Sequence, residues 1–484
     1  MMLGSDEHER YYRAITARDE RFDGVFYVGV RTTGIYCRPS CPAVTPRREN
    51  VTFHRTASSA HESGFRACLR CRPDTTPGSP EWDVRADATG RAMRLIRDGV
   101  IEREGVDGLA DRMGYSARHL GRMLTAEVGA GPLAIARSQR AATARTLIET
   151  TAMSFADVAF AAGFASVRQF NDTIRQVYGV SPTRLRSHTR AAVSRTGLTL
   201  RLPVRQPFDA QGVLDFLARR AVPGVEVVHG DMYARVLRLR HGMGSVSLTV
   251  RADGVTMVPT LSDLRDLAEA VQACRQLLDL DADAAAVADV LGADRVLAPL
   301  VAAAPGLRVP GHVDGFELAV RAILGQQVSV AGARTTAAKF AERFGDPVDP
   351  DASAVPALTH AFPRPATIAA ADPSDLGVPR QRGRALVALA DAVASGHLAL
   401  DPGADRDAAR AALVALPGVG PWTASYIAMR ALADPDVFLA TDLVVRKAMA
   451  DIGADDDRVA GWAPWRSYAV LHLWRSQSMI RTRS

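Results

Sequence analysis

Apolar residues along this 484-residue chain change their rhythm, and the changes divide it. Between about 88 and 188 they recur every three and four positions, which predicts packed amphipathic helices. Between 196 and 275 they alternate with polar residues, as in 199–204 (Thr-Leu-Arg-Leu-Pro-Val), 233–239 (Tyr-Ala-Arg-Val-Leu-Arg-Leu) and 244–251 (Gly-Ser-Val-Ser-Leu-Thr-Val-Arg), which predicts antiparallel strands. A helix is predicted to follow from Leu261 to Leu278. The stretch 74–80 (Asp-Thr-Thr-Pro-Gly-Ser-Pro) breaks any regular element before the first helical run. Four domains are expected, over 1–78, 88–188, 196–280 and 281–484.

A hydrophobic content of 47% is enough for several separate cores. No segment approaches the ~18 uncharged apolar residues of a membrane span, and Met1 to Arg10 is polar and charged, so a soluble cytoplasmic protein without a membrane partner is expected. The net charge of +6 favours a polyanionic partner, although an ordinary basic enzyme would carry as much. Lysine occurs only at Lys339 and Lys447, which later restricts the chemistry.

Four of the five cysteines, Cys37, Cys41, Cys68 and Cys71, form a C-x3-C and a C-x2-C pair separated by 26 residues. Disulfides do not suit a reducing compartment and the separations do not match iron-sulfur runs, which leaves one tetrahedral Zn²⁺. Spacing alone is compatible with a purely structural site and does not say which thiolate would react. Residues 31–41 (Arg-Thr-Thr-Gly-Ile-Tyr-Cys-Arg-Pro-Ser-Cys) and 64–71 (Gly-Phe-Arg-Ala-Cys-Leu-Arg-Cys) resemble the N-terminal domain of the Ada methyltransferase family. The resemblance implies that Cys37 accepts a methyl group from a DNA phosphotriester, once per molecule, the metal keeping the thiol deprotonated. Methylation would turn a doubly negative centre into a singly negative one and so tighten DNA binding. The family can place an arginine three residues after the second cysteine; this chain has Val44 there, and Arg66, Arg47 and Arg48 remain for phosphate contact.

Two similar units follow, 108–122 and 155–170, each placing Gly, then an aromatic, then Ser, 49 residues apart. That order suits a turn at Gly114 or Gly163, an aromatic core plug at Tyr115 or Phe164, and a cap at Ser116 or Ser166 opening a recognition helix. Arg118, His119, Arg122, Arg168, Gln169 and Asn171 would face a DNA groove. With 178–182 (Tyr-Gly-Val-Ser-Pro) closing the second, the pair resembles the AraC regulator family, which implies promoter DNA and RNA polymerase as partners; a small helical linker domain is the plainer alternative.

In the last domain, 416–420 (Leu-Pro-Gly-Val-Gly) reads as a helix-hairpin-helix turn, where Gly418 and Gly420 let the backbone approach a phosphate and the next helix offers its N–H groups. Asp442 lies 22 residues after Gly420. Together they resemble the helix-hairpin-helix glycosylase superfamily, and the preceding strands resemble the N-terminal subdomain of the AlkA glycosylases. The resemblance implies that Asp442 stabilises positive charge growing on the sugar as the base leaves, although a helix N-cap is a second reading of the same residue. Trp422 and Tyr426, four apart on one helical face, match aromatic pocket positions for cationic alkylated purines; core packing is the alternative. Residues 315–330 resemble the AlkA segment that fills the space left by a flipped nucleotide, where this chain offers Gln326 and Gln327 instead of a bulky apolar wedge. No lysine stands in the hairpin and no four-cysteine cluster follows it, so a monofunctional glycosylase without an iron-sulfur cluster is expected. Cys274 is expected to be a small core residue, and no O6-alkylguanine transfer motif is present. The expected fold class is a multidomain α+β chain: a small zinc-bound α/β domain, an all-α tandem helix-turn-helix domain, an antiparallel β-sheet/α subdomain and an all-α helix-hairpin-helix glycosylase domain. The competing expectation is a DNA-binding regulator whose glycosylase fold is inactive.

Overall fold

The computed structural model describes residues 5–75, 88–187, 198–349 and 353–481, so the expected break at 74–80 lies, beyond Thr75, outside the described residues. The chain divides into two compact units, Met1–Pro203 with Asp263–Glu269, and Val204–Ser262 with Ala270–Ser484. No described helix is long and apolar enough to cross a membrane.

The first unit opens with a four-stranded sheet in which Tyr27–Val30 pairs antiparallel with both Val51–His54 and Ile35–Cys37, and Ile35–Cys37 pairs parallel with Arg66–Ala67. The helix Ser5–Ala17 closes its core, stacking Tyr11 on Phe26 at 4.0 Å between ring centroids. The helical part is built around a core of Leu95, Ile96, Leu109, Leu120, Leu124 and Ile135. Ser116 and Ser166 cap the helices Ala117–Val128 and Val167–Tyr178 by accepting from the N–H of His119 and Gln169. Gly114 and Gly163 occupy the left-handed turns at φ of 71° and 82°, where a side chain would be strained. Phe164 is the expected core plug, 3% exposed, but Tyr115 is not: it is 40% exposed and lies against the His119 ring at 4.9 Å. Leu109, Met113 and Leu120 already fill that core, and the phenol stays in contact with water.

This sheet-and-helix unit is fastened by a buried polar clasp. Arg145, on the long helix Pro132–Thr150, donates to Asp74 (2.7 Å) and Glu149 (2.9 Å), while the Tyr178 hydroxyl donates to the other oxygen of Asp74 (2.7 Å). Such a pair is costly to break on one side, since the remaining charge is left dehydrated.

In the second unit the strands Glu226–His229, Met232–Arg238, Met243–Arg251 and Gly254–Leu261 run consecutively as an antiparallel meander. All four fall within the stretch expected to form antiparallel strands, and the last corrects the expected helix from Leu261: the strand runs to Leu261, Asp263 caps a short 3₁₀ turn, and the helix begins at Leu267. Cross-strand pairing with 243–251 outcompetes helical spacing there, as Gly244 opposes Leu261. The remainder is mostly helical, including Gly315–Leu324, Val330–Phe344, Arg406–Ala415, Pro421–Ala431, Leu443–Ile452 and Arg466–Arg481, but the domain expected to be all-α also holds a short antiparallel pair, Asp346–Pro347 with His360–Ala361. Cys274 is fully buried on Leu267–Leu277, a core residue as expected.

Candidate metal centre and active site

Parallel pairing of Ile35–Cys37 with Arg66–Ala67 sets Tyr36 opposite Ala67, so Cys37 and Cys68 leave the sheet at the same end. The Cys68 N–H donates to the Tyr36 carbonyl (3.0 Å), and each cysteine pair then closes a tight turn, Cys41 N–H to Arg38 O and Arg72 N–H to Cys68 O, both at 3.1 Å. Asp23 braces the first turn by accepting from the Ser40 amide (2.9 Å) and hydroxyl (2.6 Å). All four sulfurs consequently lie within 4.8 Å of one another. Hydrogen bonding, to Cys41 above all, pushes the Cys37 thiol up, while bonding to Cys37 pulls Cys68 down; four thiols this close cannot all ionise without a cation between them. Four soft donors at this spacing fit tetrahedral zinc. Cys41 and Cys71 are buried whereas Cys37 and Cys68 are half-buried.

Of the expected groove-facing residues, Arg118, His119, Arg122, Arg168 and Gln169 are exposed, Arg168 at the start of its helix. Asn171 turns its amide back to the Val167 carbonyl (3.0 Å), and the Gln169 side chain accepts from the Ala165 N–H (3.2 Å), so both serve their own helix. Arg66 is exposed and its guanidinium lies against Gly179, the left-handed C-cap of Val167–Tyr178; a Cβ at Gly179 would stand 2.5 Å from it.

In the second unit Gly418 takes φ of 78° and Gly420 precedes Pro421, which starts the helix Pro421–Ala431. Both glycines are exposed, and a Cβ at Gly420 would meet nothing within 4 Å, leaving room for a backbone-to-phosphate approach. Gln326 braces this hairpin: its side-chain amide donates to the Gly418 carbonyl (3.0 Å) and the Thr423 hydroxyl (3.1 Å). Gln327 is exposed beside it with φ of 57°, an unusual backbone for a residue with a side chain.

Asp442 caps the helix Leu443–Ile452, its Oδ1 accepting from the N–H groups of Val444 (3.0 Å) and Val445 (2.9 Å). Two indoles complete the ring of donors, Trp422 Nε1 to Oδ2 and Trp474 Nε1 to Oδ1, both at 3.1 Å. Four N–H groups thus converge on this one carboxyl group. The Trp422 and Tyr426 rings stack in parallel, 5.4 Å apart at 4°, and Trp474 stands 6.3 Å from Tyr426 at 47°. Trp422, Tyr426 and Trp474 are all half-buried, so the carboxylate faces a partly open aromatic recess. Trp474 was not anticipated: it is 32 residues from Asp442 with no motif around it.

Behind the recess Arg430 is buried, donating to the carbonyls of Pro310 (2.7 Å) and Gly311 (2.8 Å) and to the Tyr426 hydroxyl (2.8 Å). Burial alone would push the Tyr426 phenol up, but Arg430 and Arg220 outweigh it and bring it down to about 8. A further cluster, Glu226, His312 and Glu317, has metal-ligand residues within reach of one another. Arg235 (3.0 and 2.7 Å) and Arg321 (3.1 and 3.0 Å) already pair with both carboxylates, so this is a charge-balanced brace between the sheet and the helix Gly315–Leu324. Burial opposes ionisation of Glu226, yet Arg321 and Arg235 hold it down to about 2.

A four-cysteine module, a tandem helix-turn-helix module and a helical hairpin domain with an aromatic recess are therefore joined in one chain. The metal-binding domain of Ada matches residues 10–74, a helix-turn-helix domain 109–188, the AlkA N-terminal domain 199–314, and the HhH-GPD superfamily of base excision DNA repair proteins 320–460. A Mycobacterium tuberculosis protein, "Probable bifunctional transcriptional activator/DNA repair enzyme AlkA", is 53% identical over 480 residues, 97% of this chain and 96% of that one, and this chain belongs to its family. The Escherichia coli DNA-3-methyladenine glycosylase 2 is 38% identical over 278 residues, 56% of this chain and 95% of that one. The Escherichia coli bifunctional transcriptional activator/DNA repair enzyme Ada is 34% identical over 169 residues, 34% of this chain and 46% of that one.

Proposed function

We propose that the second unit is a monofunctional glycosylase that releases alkylated purines of the 3-methyladenine and 7-methylguanine type from double-stranded DNA. The observation that carries this is the Asp442 carboxylate, ringed by indole and helix-terminus N–H groups and facing the Trp422–Tyr426 stack. An electron-rich recess suits a cationic base, and a fixed negative charge stabilises the sugar as the C–N bond ionises; a water then adds to the sugar and leaves an abasic site. Neither lysine is in the recess, Lys447 standing exposed on the helix after Asp442, so no Schiff base with the sugar is expected.

The first unit has a complementary role. Cys37, Cys41, Cys68 and Cys71 would hold zinc, which keeps the sulfurs as thiolates when bound. The Cys37 thiolate attacks the methyl carbon of a methylphosphotriester; the C–S bond forms, the C–O bond breaks, and the phosphodiester leaves as an anion. Arg118, His119, Arg122 and Arg168 then contact promoter DNA, with RNA polymerase as the downstream partner of a methylation-activated regulator. Transfer of labelled methyl groups from methylated duplex to the chain, compared with Cys37→Ala and Cys68→Ala, tests the acceptor: loss in the first alone supports Cys37, and loss in the second alone reassigns it to Cys68.

A further inference from the structure

Extruding a nucleotide costs stacking, which a side chain inserted between the flanking base steps offsets, and Gln327, in the wedge segment, is polar. Val328 and Val330 of that segment are short and about half exposed, whereas the longer Leu443 is 79% exposed, with Val444 beside it at 39%. These are the first two positions of the helix Leu443–Ile452, where helix formation asks for no apolar side chain. Their neighbour Asp442 serves as N-cap and faces the recess through Trp422 and Trp474, so any sugar that reaches the carboxylate brings its flanking base steps to within one side chain of position 443.

Charge on the same helix fits DNA as the occupant. Arg446 and Lys447 are exposed, and Lys447, four residues after Leu443, lies on the same helical face, one turn away. An apolar tip followed by cations is the arrangement that places a hydrophobic side chain between bases and basic ones on the adjoining phosphates. The exposed hairpin glycines Gly418 and Gly420, on the helix that carries Trp422, continue the same DNA-facing surface.

We propose that Leu443 is the side chain that enters the duplex beside the extruded nucleotide and supplies the apolar filling that Gln327 does not. This rests on the glycosylase reading of the second unit. A space-filling residue matters only while the base must be pulled from the stack, so its loss is cured by DNA in which the base is already out. The test is single-turnover release of 7-methylguanine by the full chain from two DNAs, a fully paired duplex and one carrying the base in a single-nucleotide bulge. Leu443→Ala is expected to be slower by about tenfold or more on the duplex and within about twofold of wild type on the bulge, with Leu443→Phe restoring the duplex rate. In an Asp442→Asn background, where chemistry is removed, Leu443→Ala should also abolish the fluorescence rise of 2-aminopurine placed beside the target. A wild-type rate on the duplex, or an equal loss on both DNAs, overturns the proposal. Absence of base release by the wild type from both DNAs overturns the glycosylase reading itself.

Discussion

The four sulfurs of Cys37, Cys41, Cys68 and Cys71 crowd within 4.8 Å, whereas the carboxyl groups of Glu226 and Glu317, together with His312, gather at the same spacing in the second unit. The difference lies in what balances the charge. Two guanidiniums, Arg235 and Arg321, neutralise the carboxylates, while the sulfurs require a cation from outside. Asp442 follows a third course, with one charge held by four N–H groups at the edge of a recess. Grouped donors therefore do not by themselves mark a metal site; the counter-charge already present decides between a brace, a metal centre and a reactive group.

Chelation is expected to have the largest effect. Stripping metal from the full chain should abolish methyl uptake and loosen residues 10–74, read by amide exchange, while base release from alkylated DNA is unchanged. One metal per chain, lost on Cys41→Ser and retained on Glu226→Gln, is the matching stoichiometry. A second metal, lost with Glu226, would show that the guanidiniums do not close that cluster.

A smaller effect is expected at the recess. Trp474→Phe keeps an aromatic wall but removes one N–H bond to a carboxylate, worth about 1.5–3 kcal/mol, so base release should fall by about 10- to 150-fold with the helix cap intact. An unchanged rate would leave Trp474 with packing alone.

The smallest effect is electrostatic. Tyr426 ionises at about 8 in the fold against an ordinary value of 10.0, because Arg430 and Arg220 outweigh burial. The folded value is the lower one, so the stability this supplies is full above pH 10 and is lost as pH falls through 8. Ultraviolet titration should show one tyrosinate appearing near pH 8 that Tyr426→Phe removes, and pH-dependent melting of the second unit should flatten in that variant.

Much of this was legible in local spacing. Cysteine pairs, the Gly114 and Gly163 turns and the 416–420 hairpin are encoded within a few residues each, and the structure forms turns at those positions. Tertiary partners were not legible. Trp474 meets Asp442 across 32 residues, and Arg430 reaches the carbonyls of Pro310 and Gly311 from about 120 residues away; neither contact leaves a periodic trace. Tyr115 and the helix expected from Leu261 were misread for the same reason, since a filled core and a pairing strand outweighed the local pattern.

Release of N-methylated purines from duplex DNA by the full chain, set against Asp442→Asn, tests the role of Asp442 most directly. The expected result is release by the wild type, a loss of about 100- to 1000-fold in the variant with DNA binding retained, and an unnicked abasic product. Equal release by both proteins, or strand cleavage by the wild type, would contradict it.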